Sequence, residues 1–428
     1  MILVASSNLL GILNSMHILF LTDNFPPEGN APASRTFEHA REWVKLGQSV
    51  TVVTGVPNFP EGKIFPGYKN KIYQVEEIEG INVIRVITYI SANEGIFKRT
   101  LDFLSFMVIS FFAGLFVKKV DVVVGTSPQF FTVISAWLLA KSKRIPFVFE
   151  LRDIWPASIT AVGALQKNRI IRFFECLEMF LYKQADLIVS VTNSFKSELI
   201  ERGVDGDKIT VILNGVDLST YSPVTQKDIE LAKQFGLLEK FVVGYVGTHG
   251  MAHALDNVLQ AASLLQEYPE ILFLFAGGGA YKSTLDKLIS ELNLNNVVSI
   301  QRQPKSAMPR LWSLCDVSLI SLKNVPLFES VIPSKIFESM GMGLPMIASI
   351  PEGEASKIIE DAGAGVLVAP ECVNELANEI LELYKNKTQL KDMASSSYKY
   401  SVHYSRKALA ETMLVNLESL VNQTRKPS

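Results

Sequence analysis

Apolar runs of five to eight residues recur along the chain, separated by stretches in which apolar positions return every three or four residues. Strands buried on both faces read as continuous apolar runs, and the longer period between them is that of helices laid over a sheet. The pattern predicts strands at 16–22, 48–55, 81–87, 120–126, 146–151, 186–192 and 209–213 in the front half. In the back half it predicts them at 241–247, 270–276, 296–301, 316–321, 344–349 and 365–369. Each series is long enough for its own parallel sheet, so the expected fold class is α/β with two doubly wound, Rossmann-like domains. Periodicity lapses between Asn214 and Val224, where NGVDLSTYSPV is rich in turn formers. That lapse sets a front domain at 16–213 and a back domain at 214–399. A last helical stretch, about 402–423, follows the polar segment ASSSYKYSVHYS.

One apolar segment departs from this rhythm. Leu101 to Val117 holds 17 residues with a single acid, between Lys98/Arg99 and Lys118/Lys119. As a helix it covers roughly 25 Å, short of the ~30 Å hydrocarbon core of a bilayer. A span would also put strands 16–22 and 120–126 of one sheet on opposite sides of the membrane. Two readings stay open: a buried helix, or one whose apolar face dips into the inner membrane surface through 98–119 with its basic ends on lipid phosphates. The first 15 residues carry no basic group, so a signal peptide is not expected, and Met16 opens the first strand.

Composition narrows the partners. The net charge of -2 gives no general field for nucleic acid, although residues 16–200 carry 20 Lys/Arg against 17 Asp/Glu, a mildly basic front half. Three cysteines, Cys176, Cys315 and Cys372, lie far apart with no CxxC or His/Cys cluster, which argues against zinc and disulfides and for a reducing cytoplasm. Dinucleotide and P-loop motifs are absent from any strand–helix context. Asp205-Gly206-Asp207 looks like a metal-binding acidic pair, but it precedes a strand, the wrong end of a parallel sheet for a site.

Ligands of open α/β sheets sit at the carboxyl ends of strands, so the loops there hold the candidates. After the first strand, Gly29 and Asn30 lead into a helix carrying Arg35, a place where an anionic group can approach backbone N–H groups. After the fifth come Arg152, Asp153 and Trp155: a cation, a carboxylate for sugar hydroxyls, and an indole to stack on a sugar face. In the back half Gly247-Thr248-His249-Gly250, with His253, and Gly277-Gly278-Gly279 each follow a strand. The densest block runs from Phe328 to Pro345. Ser334 or Pro333 starts a helix whose N–H groups suit a diphosphate, Lys335 adds a charge, and Glu338 one turn on can accept from a ribose diol.

Together these residues resemble glycosyltransferase family four, a retaining family of the glycosyltransferase B-type fold, over nearly the whole chain from Met16. The likeness rests on the Gly-rich first loop, Arg152-Asp153-Ile154-Trp155-Pro156, Asn214-Gly215-Val216-Asp217, the two glycine loops, and the Pro-Ser-Lys block through Glu338 to Gly343-Leu344-Pro345. Within the family the nearest likeness is to bacterial surface-polysaccharide enzymes of the fucosamine-transferase type. The resemblance implies two domains facing across a cleft, an acceptor-binding front domain and a nucleotide-sugar-binding back domain. It also implies a C-terminal helix (400–428) returning to the front domain. It implies a metal-independent transfer from a nucleotide diphosphate sugar, UDP-linked ahead of GDP-linked, to an acceptor hydroxyl; the apolar segment 101–117 and its basic flanks point to a lipid-linked (polyprenyl-diphosphate) glycan as that acceptor. The sugar would be N-acetylfucosamine or another N-acetylhexosamine, and the enzyme cytoplasmic, held peripherally at the inner membrane.

The chain departs from the family pattern at several positions. Glu338 matches the second of the family's paired glutamates, whereas the first falls on Ser330, with Glu329 one residue off. The arginine and lysine that clamp the diphosphate correspond to Thr248 and His253, and the front-domain histidine to Arg152. Charge neutralisation is therefore expected from Lys335 and Arg302. These substitutions leave two alternatives open, an inactive sugar- or lipid-binding subunit and a nucleotide-sugar 2-epimerase.

Overall fold

In the computed structural model of the chain the described residues are 15–59, 61–90, 96–154 and 169–425. They form two units, one running to Leu213 and resumed from Lys407, the other Asn214–Arg406.

The first unit is built on eight strands, β1 (His17–Leu21), β2 (Ser49–Thr54), β3 (Tyr73–Ile78), β4 (Ile81–Val86), β5 (Val122–Thr126), β6 (Phe147–Leu151), β7 (Leu187–Ser190) and β8 (Ile209–Val211). Their order is β3-β4-β2-β1-β5-β6-β7-β8, parallel except for the antiparallel β3–β4 pair. Chain order reverses between β1 and β5, which opens a crevice at their carboxyl ends. β3 is absent from the sequence expectation because YQVEEI alternates charge with apolar residues, the habit of a half-exposed edge strand.

Helices cover both faces. On one side lie α1 (Ala31–Lys45) and the C-terminal Arg406–Arg425 helix, whose Met413, Leu414 and Leu417 share a core with Ile18, Phe20 and Trp43. The Trp43 indole donates to Ala410 O at 2.8 Å, which ties these two helices together. On the other side lie α2 (Ile96–Phe116), α3 (Phe130–Lys143) and α4 (Arg169–Gln184). Small residues let α2 seat closely on α3. The Ser110 and Ser135 hydroxyls are 2.9 Å apart, and a Cβ on Gly114 would come within 2.5 Å of Leu139 Cδ1.

The outer stripe of α2 stays bare: Leu101, Val108, Phe112, Leu115 and Phe116 are exposed, Phe116 by 77%. The apolar segment thus has one packed face and one exposed face. By length and composition Lys98–Phe116 is apolar enough to cross a membrane. The strands on either side of it, β4 and β5, nevertheless belong to one sheet, so α2 lies along the domain.

The second unit holds β9 (Phe241–Val246), β10 (Ile271–Ala276), β11 (Val297–Ile300), β12 (Val317–Ser321), β13 (Met346–Ser349) and β14 (Gly365–Val368). All pairings are parallel, in the order β11-β10-β9-β12-β13-β14, with the reversal between β9 and β12. Tyr245, Phe273, Phe275, Leu319 and Ile347 anchor its core. The polar ASSSYKYSVHYS segment is ordered rather than a break. It completes a helix, Lys387–Ser401, and a turn, Val402–Tyr404, because Ser397 and Ser401 tuck their hydroxyls inward.

Candidate active site

The two glycine loops of the second unit touch backbone to backbone. A Cβ on Gly277 would lie 1.8 Å from Gly247 O, and one on Gly279 2.5 Å from His249 O, so neither position has room for a side chain. Gly247 and Gly279 also have φ of +139° and +145°. His249 N donates to Gly278 O, and Tyr281 N to His249 O, both at 2.9 Å. This stacking encloses the His249 ring completely, and neither of its nitrogens has a partner. His253, in the short turn Met251–His253, places Nδ1 3.3 Å from Ser321 O. A carbonyl only accepts, so that nitrogen carries the proton. Thr248 O accepts the Tyr245 hydroxyl at 2.8 Å.

Lys335 opens the Lys335–Gly341 helix and turns its chain inward. Its Nζ is buried without a hydrogen-bond partner, 3.4 Å above the centroid of the Tyr245 ring. It lies beside Gly247, where a Cβ would sit in ordinary contact, 3.5 Å from both Cε and Nζ. Burial brings the Lys335 ammonium down to about 7, with Glu338 pulling the other way. Burial likewise takes His249 to about 4, helped by the charges of Lys282 and Lys335, and His253 to about 3, helped by Lys335. The Lys282 charge is already answered by Asp286 at 2.7 Å. An amine without an anion, two neutral imidazoles and glycine backbone at the end of β9 form a corner suited to a negatively charged ligand.

The other donor-side candidates surround this corner unevenly. Glu338 is half-buried, and the Trp312 indole N–H donates to its Oε2 at 3.2 Å, which fixes the carboxylate plane. Arg302 is exposed and borders the other loop, its Cβ 3.4 Å from where a Gly278 side chain would begin. Ser334 precedes the helix in a helical conformation, and its side chain caps nothing, so the expected hydroxyl cap is not formed. The Ser330 hydroxyl is spent on Leu327 O at 3.0 Å, and Glu329 is exposed. Gly250 introduces the His253 turn.

In the first unit Asn30 caps α1, accepting from Ala33 N at 2.9 Å and donating to Asn24 at 2.7 Å, with Gly29 exposed beside it. Arg35 requires correction as an acceptor-facing group. It is 1% exposed and donates to Glu150 Oε1 at 2.8 Å, Leu213 O at 2.8 Å and Ile212 O at 2.9 Å. Its guanidinium is a brace between α1, β6 and the end of β8. Burial alone would raise the Glu150 carboxyl, but Arg35 and Arg152 hold it below its usual range. Arg152 and Asp153 leave the carboxyl end of β6, and Arg152 N donates to Ser127 Oγ at 2.8 Å. Trp155 lies outside the described residues.

Two features escaped sequence reading. Tyr245 looks like one more core residue of β9, yet it forms the floor under Lys335. Near the end of β1, burial raises the carboxyls of Asp23, Glu28 and Asp102, Asp102 to about 7, and the acids add to one another. The lone acid in the apolar segment was the visible signal for Asp102. Asp205 and Asp207 close a local turn, Asp207 N on Asp205 Oδ1 at 3.0 Å. Among the described residues no group of three or more His, Cys, Asp or Glu is placed to hold a metal ion.

Residues 33–220 match the family model described as Glycosyltransferase Family 4, and residues 227–400 that of Glycosyl transferases group 1. WcaI of Escherichia coli K12, assigned as a colanic acid biosynthesis glycosyl transferase, is 26% identical over 391 residues, covering 89% of this chain and 95% of that one. Among solved structures, sucrose-phosphate synthase from Thermosynechococcus elongatus superposes with a TM-score of 0.77 at 16% identity, covering 95% of this chain and all of that one. HepE from Anabaena in complex with UDP-glucose gives 0.71 at 17% identity, with the same coverage. These structures share the glycosyltransferase B-type fold with this chain. With its front half on one model and its back half on the other, the chain belongs to glycosyltransferase family four and is a glycosyltransferase.

Proposed function

We propose that this enzyme transfers a sugar, with retained anomeric configuration and without a metal ion, from a nucleoside-diphosphate donor to a lipid-linked glycan in bacterial surface-polysaccharide synthesis (O-antigen, capsule or exopolysaccharide). The buried, partnerless Lys335 amine between Tyr245 and Gly247 carries the reading, because burying such a group is costly unless an anion joins it. Lys335, Arg302, the backbone amides near Gly250 and the helix end at Ser334 stabilise the departing diphosphate, a role otherwise given to a metal. Glu338 grips the ribose. Asp153 orients the sugar or the acceptor, Arg152 supports it, and no protein nucleophile is assigned.

A UDP-linked donor is favoured by the likeness to HepE, which was solved with UDP-glucose. A surface-glycan acceptor is favoured by the likeness to WcaI, and an N-acetylhexosamine, N-acetylfucosamine among them, by the resemblance to the fucosamine-type subgroup alone. Calorimetric titration with UDP and with GDP, each with and without EDTA, tests the donor site. One nucleotide binds preferentially, EDTA changes nothing, and Glu338→Ala weakens binding at least tenfold (~1.4 kcal/mol). Loss of binding in EDTA, or binding of neither nucleotide, overturns the assignment and favours the inactive-subunit reading.

The lipid-linked acceptor places the enzyme on the cytoplasmic face of the inner membrane. Support comes from the bare stripe of α2 and from Ile170, Phe173 and Phe180, which α4 leaves exposed. Lys98, Arg99, Lys118 and Lys119 flank the α2 stripe, as an anionic surface requires. Flotation with vesicles containing anionic lipid checks this. Phe112→Glu with Phe116→Glu releases the protein from the vesicles and leaves nucleotide binding intact; unchanged flotation removes the membrane from the proposal. Phe111, on the same helix, packs against the core and is left unchanged in this variant.

A further inference from the structure

We propose that donor binding is coupled to the uptake of one proton at Lys335, so that the amine is neutral in the free enzyme at alkaline pH and charged once a diphosphate lies against it. The inference rests on the donor-site reading above and deepens it.

The geometry around the amine carries the argument. Lys335 Nζ is shut off from solvent with no acceptor in reach, and it rests on a ring face, the weakest of cation partners. The groups facing it from each neighbouring element are few. Tyr245 on β9 has its hydroxyl pushed well above its ordinary range by burial and stays protonated, donating to Thr248 O. His249 and His253 in the following loop and turn lie far below neutrality and are uncharged throughout the range of interest. Lys282 with Asp286, from the Lys282–Glu291 helix, form a closed pair beyond His249. Glu338, on the lysine's own helix, is the one acid that draws a proton toward it, and its carboxylate is held by Trp312.

A lysine so placed loses its proton about three units early, near pH 7, for want of a counter-charge. A diphosphate supplies that charge and returns the proton.

The sign follows from linkage. Below pH 7 the free enzyme already holds the proton and affinity is flat. Above it each pH unit costs about tenfold, until the pKa of the bound lysine is passed. Between pH 7 and pH 9 donor affinity falls about fifty-fold, and about 0.9 proton is taken up at pH 8.

The test is calorimetric titration of the full chain with UDP-N-acetylglucosamine and, in parallel, GDP-mannose. Both diphosphates are esterified at each end and do not titrate in this range. Runs at pH 7, 8 and 9 in two buffers of different ionisation heat give the proton count directly. Proton uptake that vanishes in Lys335→Arg, with affinity then level across the range, supports the proposal. The same arm excludes Asp23 and Asp102, which titrate elsewhere in the chain. Binding with no proton uptake, or uptake that persists in Lys335→Arg, overturns the proposal and leaves the donor site standing. Binding of neither nucleotide sugar sinks both. If the arginine variant misfolds, ¹⁵N NMR of the Lys335 amine in the unliganded wild type decides. A midpoint near 7 is expected, and one above 10 defeats the idea.

Discussion

One methyl group added at Gly277 would put a carbon 1.8 Å from Gly247 O, a contact that no side-chain adjustment relieves. At Gly278 the same methyl meets Arg302 Cβ at 3.4 Å, an ordinary contact. Gly277→Ala therefore pries the two glycine loops apart and lowers nucleotide affinity by tenfold or more, whereas Gly278→Ala leaves it within about threefold; titration of both variants separates them. Such differences are invisible in GGG as a string. The same holds for charge. Lys335 and Arg35 both follow turn-rich segments in the sequence, and both read as groups facing a ligand. The structure gives Arg35 three partners and Lys335 none, and only the unanswered charge is left for a substrate. Tyr245 was hidden for the opposite reason: an aromatic within a buried strand gives no outward sign that a cation rests on it.

At the scale of elements, the Arg35–Glu150 pair holds α1, β6 and the end of β8 in one grip. Removing Arg35 takes away the direct partner of buried Glu150 and leaves it only Arg152 and Thr126, so Arg35→Met lowers unfolding stability by about 3 kcal/mol, measurable by urea denaturation. The Glu150 carboxyl is depressed in the folded state, so the stability it contributes is present above the unfolded carboxylate pKa. It is lost as pH falls through the lower folded value. Elements themselves were legible wherever burial is two-sided. Thirteen strands announce themselves as apolar runs, most of them because parallel strands between helix layers have no polar face; the parallel edge strands β8, β11 and β14 are less buried yet still apolar. β3 does not, since an edge strand alternates and its Glu76 and Glu77 look like loop residues. α2 was half legible. Its composition revealed the apolar surplus, but only packing tells Ser110, Ala113 and Gly114 on the seated side from Val108, Phe112 and Phe116 on the bare one.

At the scale of the molecule, the two units divide the chemistry by electrostatic habit. The first unit gathers acids near the end of β1 whose carboxyls burial raises. The second gathers bases at the end of β9 whose hold on a proton burial weakens. Each is set for a ligand that brings its own charge or hydroxyls, and this is why composition, with a net charge of only -2, betrays neither.

The route of the backbone has a further effect. The second unit lies within the sequence of the first, whose sheet is completed by the last helix. A ribosome delivers Ile18, Phe20 and Trp43 early and their cover, Met413, Leu414 and Leu417, at the end. At 5–20 residues per second, translating Asn214–Arg406 takes roughly 10–40 s, and for that time the nascent front sheet has one apolar face covered by α1 but lacking the last helix. The unit begun first is finished last, and its safe passage depends on whatever shields that face in the meantime.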